Sequence, residues 1–204
     1  MSNLGRIPHK RKTGSESFHD GDHDLDFNLL SFWCWSVSDL VSNLTRGVLA
    51  EYLIANAIGA AGHIRDEWAA YDLDDPRGIS IEVKSAAYIQ SWKQDRHSSI
   101  SFNCPKTLAW DPETNHQSSE KRRQAKVYVF ALLAHRDQAT LDPLDVSQWE
   151  FYVVPTVLLD RRERSQHSIT LNSLRKLHGE PVAYAGLSDA IAKAAEVNDA
   201  ACSE

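Results

Sequence analysis

From Ile79 to Ser85 the chain reads ISIEVKS, a strict alternation of aliphatic and polar side chains. Successive side chains of a strand point to opposite faces, so Ile79, Ile81 and Val83 share one face and Ser80, Glu82 and Lys84 the other. One face packs and the other is strongly polar. Just upstream, EWAAYDL repeats the alternation over 67–73 and sets Trp68, Ala70 and Asp72 together. The intervening DDPRG has turn chemistry, which joins the two strands as a hairpin and explains Asp74 and Asp75. With residues 74–78 as the loop, Leu73 pairs with Ile79, Asp72 faces Ser80, and Asp72 lies diagonal to Glu82. Diagonal neighbours on one face are about 7–8 Å apart, which lets two carboxylates converge on one cation. A slip of one residue would separate them.

A helix is expected across about 38–59, where Leu44, Val48, Glu51, Ala55 and Ile58 recur at three- and four-residue steps. Glu51 then points at the core, and a buried carboxylate needs a cation or donors to offset its desolvation. A metal or Lys84 would serve. Further strands are expected at 99–104, 126–134 and 149–155, with short helices near 156–163 and 171–178. The apolar run VYVFALLA reads as a central strand from its Val, Tyr and Phe content. This order describes a mixed α/β sandwich.

The length of 204 residues sets one domain, here 28–190, between a disordered polar tail at 1–27 and a fraying end at 191–204. In the tail, HDGDHDLD (His19, Asp20, Asp22, His23 and Asp24 among it) reads as solvated rather than as a metal site. Three widely spaced cysteines indicate neither a disulfide framework nor a zinc knuckle and fit a reducing cytosol. The opening residues lack a signal-peptide core and no apolar run approaches a membrane span, so a cytoplasmic protein is expected. A net charge of −6 counts against a passive nucleic-acid coat. Locally the balance reverses, with eight basic and four acidic residues over 84–126, and five basic and one acidic over 161–176. Lys93, Arg96, Arg122 and Arg123 are the candidates for phosphate contact, set against the ordinary reading of a solvated charged face. Trp92 and Trp110 lie in the same stretch and are candidates for base stacking or for core. His97, His116 and His135 carry no assignment.

Oxygen ligands without Cys or His suit Mg²⁺ or Mn²⁺, completed by water and phosphate. In that reading Asp72 and Glu82 hold the metal, Lys84 orients water and stabilises developing charge, and Glu51 holds a second metal or positions hydrated metal. The competing account is a solvated sheet face with cross-strand ion pairs, which leaves Glu51 unexplained.

The arrangement resembles the PD-(D/E)xK nuclease superfamily over roughly residues 44–134, in its helix acid, hairpin acid, short turn and polar-faced Glu-x-Lys strand. The resemblance implies a restriction-endonuclease-like αβββαβ core, a mixed central sheet flanked by helices. It places Asp72 as the first motif acid, Glu82 and Lys84 as the second acid and the lysine, and Glu51 as the acid on the first helix. Gln90, or after it Gln94, takes the place of the glutamine some members carry beyond the lysine strand. Tyr71 stands where the motif name has proline. The implied activity is a Mg²⁺- or Mn²⁺-dependent nuclease, a DNA endonuclease of restriction, defence or repair, and the same chemistry would serve RNA. The alternative is a catalytically silent nuclease fold that binds DNA or assembles with other proteins. A homodimer and a partner protein for target recognition are the further expectations.

Overall fold

The computed structural model describes residues 4–202. In chain order the elements are β1 (Ser17–Asp20), β2 (His23–Asn28), α1 (Leu29–Val37), α2 (Asn43–Ala57), β3 (Leu73–Asp74), β4 (Ser80–Ala87), β5 (Ser101–Asn103), β6 (Thr107–Asp111), β7 (His116–Arg122), β8 (Val127–Leu133), β9 (Trp149–Pro155), α3 (Thr156–Asp160), β10 (Ser168–Thr170), α4 (Leu171–His178) and α5 (Leu187–Cys202). Strands β3, β4, β8 and β9 form the central sheet in that order, with β4 and β8 parallel and the two outer pairings antiparallel. The sheet is mixed and flanked by helices, as expected.

Strand β8 is buried at every position because it has a strand on each side and a packed layer on each face. On one face Val127, Val129 and Ala131 meet Ile81 and Val83 of β4, Ala50 and Ile54 of α2, and Leu187 and Ile191 of α5. On the other, Tyr128, Phe130 and Leu132 meet Phe102 of β5, Ile169 of β10, and Leu171 and Leu174 of α4. Each such side chain fully buried contributes about 1.5–3 kcal/mol, so the two layers fix the sheet between them.

Several expectations are corrected. Helix α2 begins at Asn43, where the Ser42 hydroxyl caps it by accepting from the Thr45 amide at 3.4 Å. Its buried stripe runs through Arg46, Ala50, Ile54 and Ala55, whereas Leu44 and Val48 are 81% and 40% exposed. Small residues decide this rotation: a Cβ at Gly47 would lie 4.0 Å from the Ser85 hydroxyl, so the helix approaches β4 on its Gly47 and Ala50 side. The first hairpin strand shrinks to two residues, and the chain before Leu73 turns instead of extending. Its register pairs Leu73 with Ile81 and Asp74 with Ser80, two residues beyond the expected pairing. Asp75 shapes the loop, accepting from the Arg77 amide at 2.6 Å while Gly78 adopts φ +80°. A two-residue shift keeps side-chain parity, so Asp72 stays on the face of Glu82 and now stands opposite it.

Strand β5 forms as expected but pairs with β10, outside the central sheet. The expected run of three consecutive central strands is therefore interrupted, and the passage from β4 to β8 is made through β5 and the β6–β7 hairpin. Within the polar opening segment, β1 and β2 pair around Gly21 and Asp22, with Gly21 at φ +60°. Gly-Asp is a two-residue hairpin turn, and it is the signal that the expectation of a disordered tail overlooked. The end of the chain, expected to fray from residue 191, is helical to Cys202, with Ile191, Ala194 and Ala195 buried. Among the described residues no helix is long and apolar enough to cross a membrane.

Candidate active site

Three acids and two bases gather where α2 and the loop before β3 meet the polar edge of β4. Glu82 and Lys84 project from β4 in alternation with buried Ile81 and Val83, and the Lys84 ammonium donates to Glu82 Oε1 at 2.5 Å. Asp72 Oδ2 accepts from the Val83 amide at 2.7 Å, which ties the loop acid to the strand. Asp72 Oδ1 and Glu82 Oε2 accept no hydrogen bond from the described residues.

Glu51 reaches the same place from α2, with its side chain only 12% exposed. Its partner is Arg65, which donates from Nε at 2.5 Å and Nη2 at 3.2 Å in a forked pair. Lys84 does not contact Glu51 directly and acts on it only through space. Arg65 was not legible in the sequence, because it sits in a loop without periodicity and nothing local marks it as the answer to Glu51.

Electrostatics reflect crowding of like charge in a part-buried place. Burial pushes the Glu51 carboxyl above its usual range, and the Arg65 hydrogen bond partly opposes this. Burial likewise raises Asp72, and repulsion from Glu82 adds to it. Burial alone would lower Lys84, but the carboxylates of Glu82, Asp72 and Glu51 outweigh it and hold the ammonium above its ordinary value. Tyr128, beside Glu82 in the sheet register, is raised by burial and by that carboxylate. Three carboxylates against Lys84 and Arg65 leave the cluster one negative charge in excess.

Among the described residues no three His, Cys, Asp or Glu side chains are placed to ligate one ion. A hydrated divalent cation held by two acids needs fewer protein ligands, since Mg²⁺ keeps several of its waters. The donor set fits that form: two opposed carboxylates, both with an oxygen unengaged, one of them raised by burial and by the other's charge. Glu51 and Asp72 line a cleft of about 770 Å³, together with Arg65, Tyr52 and the basic residues Lys10 and Lys12. Lys84 instead lines a second cavity, of about 420 Å³, with Arg46, Gln90 and Trp92.

Gln90 is buried in that second cavity, where it accepts from Arg46 Nη1 at 3.2 Å and donates to the Ala87 carbonyl at 2.8 Å. Gln94 braces the same loop, its Oε1 accepting from the Gln90 amide at 2.6 Å. Lys93 and Arg96 are exposed, and Arg122 is exposed on β7 with Nε donating to Gln124 at 3.1 Å. Arg123 must be withdrawn from the phosphate candidates. Its side chain is 0% exposed, and it donates to the carbonyls of Cys104 and Gln166 and to Asp160, pinning the β7–β8 junction to β5 and the loop before β10. Trp92 is 57% exposed, whereas Trp110 packs on Trp68 at a centroid distance of 5.2 Å. Arg46 is the other residue the sequence reading missed, although its step to Ala50 and Ile54 places it in the buried stripe and could have found it.

The mixed sheet sets two opposed acids and a charged lysine side by side, between the cleft that Asp72 lines and the cavity that Lys84 lines, and the class to which the chain belongs is the nucleases. Residues 15–173 match the family model described as bacteriophage T4 endonuclease IV. That span is most of the chain, and the protein belongs to the bacteriophage T4 endonuclease IV family. It includes the β1–β2 hairpin and every element of the central sheet, and it stops before α5. No curated protein and no solved structure shows significant similarity to the chain.

Proposed function

We propose that the protein is a divalent-metal-dependent endonuclease of DNA whose active site is Asp72, Glu82 and Lys84, supported by Glu51 and Arg65. The observation that carries this reading is the convergence of Asp72 onto the Glu82–Lys84 strand, in a chain whose family is one of endonucleases. Asp72 and Glu82 would hold Mg²⁺ or Mn²⁺, which when bound polarises the phosphate and lowers the pKa of a coordinated water. Lys84 is kept protonated by its acid neighbours, so its work is to donate a hydrogen bond and stabilise charge developing on the phosphate oxygens, not to remove a proton. Glu51 and Arg65 form a rigid charged pair at the cleft wall, which positions Asp72 electrostatically and leaves Arg65 beside the path of the backbone. Gln90 acts at one remove, by holding Arg46 and the loop that follows β4.

The same disposition of acids and lysine supports kinship with the PD-(D/E)xK nucleases, with Glu51, Asp72, Glu82 and Lys84 in the corresponding places. A cytoplasmic role in restriction, defence or repair, action as a homodimer, and target choice through a partner protein belong to the same proposal. Lys93, Arg96 and Arg122 supply the exposed positive charge for backbone contact.

The test is incubation with supercoiled plasmid, linear duplex and single strands in Mg²⁺, Mn²⁺ or EDTA, beside Lys84→Ala and Asp72→Ala. Metal-dependent cutting that both substitutions reduce at least 100-fold is expected (roughly the cost of losing one transition-state donor). DNA binding without cutting under every condition would instead define a silent binding module, and cutting of RNA alone would reassign the substrate.

A further inference from the structure

The second cavity lies between the start of α2, the end of β4 and the strand β5, and it shares Lys84 with the proposed active site. Its chemistry is one-sided. Arg46 and Lys84 are its charged lining residues, and no aspartate or glutamate lines it. Lys84 is answered by Glu82, but Arg46 is answered by no carboxylate among the described residues.

Arg46 is 3% exposed, and its guanidinium donates to the Val41 carbonyl at 2.8 Å, Asn43 Oδ1 at 2.7 Å and Gln90 Oε1 at 3.2 Å. All three acceptors are neutral, and Nε makes no hydrogen bond at all. An arginine cannot shed its proton to escape burial, so the fold carries an uncompensated positive charge at the wall of a polar cavity. The first turn of α2, a helix of 15 residues, opens at the same wall, where Asn43 lines the cavity, and adds the positive end of its dipole. Buried charge, helix end and the hydroxyl of Ser99 together ask for an anion that accepts hydrogen bonds. At the rim Trp92 presents a half-exposed ring to the same space, and the cavity of about 420 Å³ is larger than a bare oxyanion requires.

We propose that this cavity is a nucleotide subsite, in which a phosphate meets the positive field of Arg46 and the α2 N-terminus while its base stacks on Trp92. The proposal rests on the reading of the chain as a nuclease, because the occupant is then the nucleotide adjoining the bond that Lys84 serves. The subsite holds the strand in register, and Arg46 is a positioning residue.

The test uses the whole chain in EDTA, where cleavage plays no part, titrated with thymidine 5′-monophosphate, thymidine and inorganic phosphate by calorimetry at low salt. The monophosphate is expected to bind at least tenfold more tightly than either fragment. Trp92→Ala, at an exposed position, should weaken it by about 5- to 150-fold, the range that base–aromatic stacking supplies. Ser99→Asp places a carboxylate on the exposed rim without touching the core and should abolish binding. Arg46→Lys should retain part of the affinity that Arg46→Gln loses, with thermal melts confirming that both fold. Monophosphate binding unchanged by Trp92→Ala and Ser99→Asp, or no binding in the millimolar range, overturns the subsite. Failure of metal-dependent cutting alongside intact monophosphate binding would count against the proposed chemistry and leave the subsite standing, so the two readings fail separately.

Discussion

Arg122 and Arg123 are chemically identical neighbours with opposite expected consequences when truncated. Arg123→Ala removes donors from the Cys104 carbonyl (3.1 and 2.8 Å) and the Gln166 carbonyl (2.7 Å), and strips Asp160 of its buried partner. Each stranded buried acceptor costs about 1–3 kcal/mol, and breaking a buried charge pair from one side costs about 3–5 kcal/mol. These overlap, because one guanidinium serves all of them, and Asp160 is partly solvated. The expected loss is about 3–5 kcal/mol, which in a chain of this size lowers Tm by roughly 6–20 °C. Arg122→Ala should change stability by no more than about 0.5 kcal/mol. It should instead lower DNA affinity in EDTA and reduce the slope of log affinity against log salt by about 0.9, the signature of one lost phosphate contact. Urea unfolding at constant m-value reads the first effect and fluorescence anisotropy across a salt series the second. Arg123→Ala that keeps its stability to within 1 kcal/mol but loses DNA affinity would refute the assignment of this guanidinium to structure.

The remaining predictions concern charge and core. Asp72 has a folded pKa above its ordinary value of 3.8, so the fold favours its protonated form; that contribution is complete below about 3.8 and is lost as pH rises through the raised value. Asp72→Asn should therefore be more stable than the parent at pH 7 by chemical denaturation, with the difference closing as pH falls toward 4; a parent more stable at pH 7 in EDTA would contradict the desolvation argument. Arg65→Gln removes the hydrogen bonds that oppose the upward push on Glu51, and the acid limb of the cleavage profile should move to higher pH. An unmoved limb would separate Glu51 from the chemistry. Phe130→Ala, in the fully buried β8, should cost about 3–5 kcal/mol in urea unfolding, and a cost under 1 kcal/mol would mean that the two core layers are not as close-packed as described.

What the sequence made legible follows from how local each signal is. The strands at 79–85, 126–134 and 149–155 were readable because period-two alternation and β-branched runs are properties of a few adjacent residues. Asp72 survived an incorrect register because the error was two residues, and parity is what places a side chain on a face. Glu51 was found as a buried acid by helical period, but its environment was assigned to the wrong face: the Gly47 and Ala50 contact with β4, a tertiary matter, set the rotation of α2. The same rotation buried Arg46, which the chosen stripe excluded. Arg65 and the pairing of β5 with β10 are long-range facts with no local trace. Arg123 shows the limit of charge counting, because a basic run does not say which of its members turns inward.

The parallel pairing of β4 with β8 also sets when the site can exist. Glu82 lies beside Tyr128 and Lys84 beside Phe130, so the strand bearing both residues has no interior neighbour until the chain has been made well beyond them. Pairings so distant in sequence form late and slowly, since the intervening chain must be closed into a loop before any contact rewards it. A growing polypeptide that has reached only the β6–β7 hairpin has α2 and β3 to set against β4 but no strand on its inner side. On the proposed reading competence to cut arrives with β8 and β9, so the order of synthesis itself delays the appearance of the proposed site until the fold that confines it is nearly complete.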